Sequence, residues 1–87
     1  MKSKTTKRFR ARVKALPEPT RKQAQEAYRV FRENPYHPSL HFKLVIRAEQ
    51  VYSVRIGLHY RALGRWIGDE IVWFWIGSHA DYDRLIG

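Results

Sequence analysis

Up to Phe31 the apolar residues return at helical spacing, and from Leu40 onward they alternate with polar ones. Phe9, Val13 and Leu16 share one side of a helix, so the spacing predicts a first helix from about Lys4 to Leu16, stopped by Pro17. Pro17-Glu18-Pro19 reads as a turn whose second proline suits the first position of a new helix, with Glu18 at the positive end of its dipole. Ala24, Ala27, Tyr28 and Phe31 then form one apolar stripe, while Arg21, Lys22, Gln25, Arg29 and Arg32 lie mostly off it. Asn34-Pro35 ends this second helix, because the residue before a proline disfavours helical backbone.

After a loop over Pro35-Tyr36-His37-Pro38, Leu40, Phe42, Leu44 and Ile46 make one face of a strand. Val51 to Ile56 and Leu58 to Trp66 continue the alternation, with Gly57 and Gly68-Asp69-Glu70 supplying turns. Ile71-Val72-Trp73-Phe74-Trp75-Ile76 does not alternate, which fits a mid-sheet strand covered on both faces. Gly77-Ser78 releases the chain into a polar tail, His79 to Gly87, with room for a last helical turn. The expected class is α+β: a helical hairpin packed on a four-stranded twisted sheet, antiparallel or mixed. All 87 residues are expected to form one domain, since a second core would bury too little apolar surface to offset chain entropy.

Charge narrows the possible partners. Lys and Arg outnumber Asp and Glu 17 to 8, a formal charge of +9, which favours phosphate-rich or acidic partners, nucleic acid first. Lys2 to Lys14 alone holds seven basic residues and no acidic one. The absence of cysteine excludes disulfides and thiolate zinc sites and leaves the cytoplasm as the default location. No run approaches the roughly 20 apolar residues of a membrane span, and the polar N-terminus is expected to be neither signal peptide nor anchor.

Charge and alternation combine in the strands. Between His41 and Arg65 every Lys, Arg and His is odd-numbered: His41, Lys43, Arg47, Arg55, His59, Arg61 and Arg65. Phe42, Leu44, Ile46, Tyr52, Val54, Ile56, Leu58, Tyr60, Ala62 and Trp66 hold even positions, so each strand has an apolar side and a cationic side. With the helices on the apolar side, the cationic side is expected to face solvent as a surface for phosphates. An ordinary solubility face is the plain alternative, but such faces mix signs, and here the only acid is Glu49 in a turn.

The order of two helices, the Asn34-Pro35-Tyr36-His37-Pro38 loop and a sheet resembles the RelE/ParE superfamily of bacterial toxins, on its RelE- and HigB-like side. Tyr52-Ser53-Val54-Arg55-Ile56-Gly57-Leu58-His59-Tyr60-Arg61-Ala62-Leu63 looks like the two central strands with their paired arginines. Ile76-Gly77-Ser78-His79-Ala80-Asp81-Tyr82 looks like the end of the catalytic strand. The resemblance spans Phe9 to Ile86 and departs at the N-terminus: the family often opens with a strand, which Met1 to Lys7 is too short and polar to promise. It implies a toxin that cleaves messenger RNA on the ribosome without metal or cofactor and is silenced by a cognate antitoxin protein. The ribose 2′-hydroxyl would attack the neighbouring phosphate, leaving a cyclic phosphate and a free 5′-hydroxyl.

Such chemistry needs a base, an acid and cations around the phosphorus. By the resemblance, Arg61 sits against the scissile phosphate, where a guanidinium suits a forked contact. His79 is the first choice for proton transfer, since imidazole titrates near neutral pH, and Tyr82 would donate a proton or stack on a base. Arg55 and Lys43 would support the phosphate, His59 or His41 would share the base role, and Arg47 and Arg65 would bind the RNA backbone. Plain alternatives stand beside these roles: His79 closing the last turn, Tyr82 as a core aromatic, Arg55 paired with a glutamate, and Lys43 merely solvated. A zinc pair from His37 and His41 is opposed by Pro38 between them, and His79, Asp81 and Asp83 only imitate a cation cluster. Two other functions compete: a ParE-like toxin that inhibits DNA gyrase by binding, and an RNA-binding module in which Tyr36, Tyr60 and Trp66 stack on bases.

Overall fold

The computed structural model describes residues Met1–Gly87. Strand β1 (Lys2–Thr5) leads into helices α1 (Lys7–Lys14) and α2 (Glu18–Glu33), followed by strands β2 (Lys43–Ile46), β3 (Val51–Ile56), β4 (Tyr60–Ile67) and β5 (Glu70–Ser78), and by helix α3 (His79–Ile86). The five strands form one sheet in the order β1-β5-β4-β3-β2. Neighbours pair antiparallel except β1, which runs parallel to β5. The α+β class and the helical hairpin match the expectation from sequence, and the fifth strand is the difference.

That strand is polar because it is an edge. Lys2 and Lys4 point to solvent and pair with Asp69 and Glu70 at 3.6 and 3.2 Å. Ser3 turns inward, where its hydroxyl accepts from the Trp73 indole at 3.1 Å and donates to Tyr28 at 3.2 Å. Apolar alternation therefore gives no sign of it, and it takes residues that helical spacing would assign to α1. Thr6 caps α1 by accepting the Phe9 N–H at 3.0 Å, so the helix starts at Lys7 and not near Lys4.

The hairpin covers one face of the sheet, where Ala24, Phe31, Leu40, Val54, Ile56, Ala62, Ile71, Trp73 and Ile76 form the larger core. Leu40 belongs to a single 3-10 turn, Pro38–Leu40, and β2 begins only at Lys43. β5 lies inside the sheet between β1 and β4, while β4 takes the centre. Its missing alternation has a local cause: Leu63 faces Trp75 but Gly64 faces Trp73, so Phe74 is an extra residue in a bulge. Phe74 and Trp75 both join a second core on the opposite face, with Val51, Leu63 and Tyr82 at its centre and Val45, Ile46 and Ile86 around it.

This second core corrects the expectation of an open cationic face. The odd positions are not all charged: Val51, Ser53 and Leu63 lie among the arginines and are 1%, 1% and 3% exposed. The tail forms an eight-residue helix, not one turn, and it buries Tyr82 over them. Of the cations on this face, Arg55 and Arg61 are half-buried, while His41, Lys43, Arg47, His59 and Arg65 stay exposed.

Candidate active site

The β3–β4 register sets Arg55 opposite Arg61, and the β4–β5 register sets Arg61 opposite Gly77. This row lies on the face away from the hairpin, at the end of the sheet where α3 begins. The Arg55 Nε donates to the Gly57 carbonyl at 3.1 Å, and Arg61 donates to the Tyr60 carbonyl at 2.9 Å. Neither guanidinium has a carboxylate within ion-pair distance; the paired arginines are Arg29, Arg65 and Arg84. Burial, and then the charge of Arg55, lower the Arg61 pKa, against the opposing pull of Tyr82 and Asp83. Two like charges held together without a counterion are positioned to receive an anion.

Helix α3 brings the remaining chemistry to this row. Ser78 caps it, its hydroxyl accepting the Asp81 N–H at 3.1 Å. The His79 N–H donates to the His59 carbonyl at 2.7 Å, tying the helix start to the β3–β4 turn. The His79 Nδ1 lies 3.0 Å from an Asp83 carboxylate oxygen, leaving Nε2 as its second exchangeable position. Asp81 is held by Arg84 and Ser78, which keep its carboxyl below the usual range. Tyr82 is 5% exposed, its ring 6.0 Å from that of His79 and its hydroxyl donating to Ser53 at 3.3 Å.

From outside, Arg12 of α1 holds the end of β5: its Nε donates to the Ile76 carbonyl at 2.8 Å and its guanidinium lies 5.2 Å over the Trp75 ring. Trp75 in turn fills the space above Gly77, where a Cβ would come within 2.5 Å of the indole.

The structure thus gathers Arg55, Arg61 and His79, with Tyr82 beneath them and His59 adjoining through its backbone. His41, at φ 47°, brings its Nε2 to 3.5 Å from the Arg55 guanidinium. Lys43 faces Ser53 across the β2–β3 pair, on the same side of the sheet as Arg55. Arg47 and Arg65 stand apart. Arg47 lies in the 3-10 turn Arg47–Glu49, and Arg65 faces Val51 and lies 3.5 Å from Glu49. Arg65 is four residues from Arg61, about 13 Å along the strand. Tyr60 packs against the hairpin core, and Trp66 lies tilted beside Tyr52 on that side while its indole N–H donates to the Gly68 carbonyl; both face away from the arginine row. The sequence reading did not single out Arg12, Ser53 or Gly77, and it weighed Asp83 only as part of a cation cluster. The i, i+4 spacing of His79 and Asp83 was the available signal for their pairing, once the tail is known to be helical. No group of three or more His, Asp or Glu side chains is arranged to hold a metal.

A helical hairpin on one face of this sheet and a C-terminal helix beside an arginine pair on the other define a fold shared with solved toxin structures. The RelE–RelB antitoxin–toxin complex of Methanococcus jannaschii matches with a TM-score of 0.74 at 18% identity, covering 95% of this chain and 98% of the matched one. The archaeal RelE–RelB complex of Pyrococcus horikoshii matches at 0.69 and 16%, covering 88% and 92%. A YoeB/ParE toxin from Agrobacterium tumefaciens matches at 0.70 and 14%, covering 91% and 99%. No curated protein matches the sequence significantly. The ParE-like toxin domain family matches residues 18–84, and the chain belongs to that family within the RelE/ParE superfamily.

Proposed function

We propose that this chain is the toxin of a toxin–antitoxin pair and cleaves messenger RNA in the ribosome. The observation that carries this reading is the Arg55–Arg61 pair, free of carboxylate partners, with His79 two residues beyond Gly77, the β5 partner of Arg61. A phosphodiester placed on the pair would have its developing negative charge met by two guanidiniums. The proton of the 2′-hydroxyl would pass to His79 as the oxygen closes on phosphorus. Tyr82, held by Ser53, forms the floor of the site, and Lys43 and His41 extend it along the RNA. Arg47 and Arg65 contact the backbone farther out.

A protein antitoxin is the expected partner, as in the RelE–RelB complexes of the relatives, and an acidic segment would offset part of the +9 charge. A second reading, gyrase inhibition, is favoured by the ParE-like family match.

The test adds purified protein and its His79→Ala variant to a translating extract and maps message ends by primer extension, with gyrase supercoiling assayed in parallel. Breaks within translated codons that vanish in the variant are expected. Intact message with inhibited supercoiling would establish the second reading instead.

A further inference from the structure

Imidazole exchanges protons at two nitrogens, and one of them is already engaged in His79. Its Nδ1 lies 3.0 Å from Asp83, one helical turn along α3. The other acid of this helix, Asp81, is occupied by Arg84 and the Ser78 hydroxyl. The charges around His79 are otherwise positive: Arg61 and Arg55 on the facing strands, and the N-terminal end of α3, whose first residue is His79. Asp83 is therefore the one anion on this side of the helix free to meet a charge forming on the ring, and it also acts on Arg61.

We propose that Asp83 is a positioning residue for His79, a role that rests on the nuclease reading above. The carboxylate accepts the Nδ1–H, fixes the ring and its tautomer, and leaves the Nε2 lone pair as the proton acceptor. In the reaction the 2′-hydroxyl proton moves to Nε2 as the bond from the 2′-oxygen to phosphorus forms. The bond from phosphorus to the 5′-oxygen breaks, and the departing 5′-oxygen takes a proton from water. Asp83 stabilises the imidazolium present during this step, and Nε2 later returns its proton to solvent. An exposed i, i+4 pair with no such role would contribute little to stability and nothing to turnover.

The role is tested in Asp83→Ala, which removes the acceptor at Nδ1 and leaves the ring to the Nε2–H form that an unpaired imidazole favours. Nitrogen-15 NMR of the imidazole reads the tautomer, and message cleavage is measured at saturating ribosome. The wild type is expected to carry its neutral-ring proton on Nδ1. In the variant that proton should move to Nε2, and the maximal cleavage rate should fall about 10- to 100-fold with ribosome binding unchanged. An unchanged tautomer in a folded variant, or a changed tautomer with an undiminished rate, overturns the proposal. A tautomer change in a protein whose wild type cuts no message overturns the nuclease reading and leaves Asp83 only as the residue that orients the ring.

Discussion

Two guanidiniums facing each other across β3 and β4 are unfavourable unless an anion lies between them, so this pair is costly to the free protein. Arg55→Gln should stabilise the chain by about 0.2–1 kcal/mol in urea unfolding while weakening cleavage; a variant that loses stability would show that Arg55 serves mainly to hold the Gly57 turn. Arg61→Lys keeps the charge but not the fork, and a loss of about 10²-fold or more in cleavage rate is expected. Near-native cleavage by the lysine variant would mean that a point charge suffices. The odd-numbered cations of the strands were legible from sequence because alternation follows from backbone geometry. The half-burial of Arg55 and Arg61 was not, because it depends on α3 docking onto the same face. Tyr82 shows this most clearly, since a single chain position is compatible with either a wet or a buried ring until Ser53 and Leu63 are seen beneath it.

Helix α2 and its ends follow from residues that act locally: Pro17, Pro19, Asn34-Pro35 and the stripe from Ala24 to Phe31. The polar β1 and the bulge at Phe74 were not legible, because the first is decided by pairing with the distant β5 and the second by the register of the β4–β5 hairpin. The end of β5 is the most constrained element near the site, with Trp75 folded over Gly77 and held by Arg12. Gly77→Ala should destabilise the protein by about 1–3 kcal/mol through overpacking and disturb the start of α3. A thermal melt and the His79 NMR signals would register both effects, and an unchanged melt would show that the indole moves aside freely.

At the scale of the molecule the charge of +9 acts over long range, and under the proposed function it would set association with ribosome and RNA more than turnover. Lys43→Ala should reduce the salt dependence of RNA binding by about one unit of slope in a plot of log affinity against log salt, with maximal cleavage little changed. A fall in maximal rate at constant affinity would move Lys43 into the chemistry. No helix is long and apolar enough to cross a membrane. The central claim is that the Arg55–Arg61–His79 row supports attack by a 2′-hydroxyl on the adjacent phosphate. Its most direct test is a ribosome-bound message carrying one 2′-deoxynucleotide at a mapped cleavage position. The all-ribose message should be cut there to leave a 5′-hydroxyl end and the substituted message should remain whole at that position, whereas equal cleavage of both would contradict the claim.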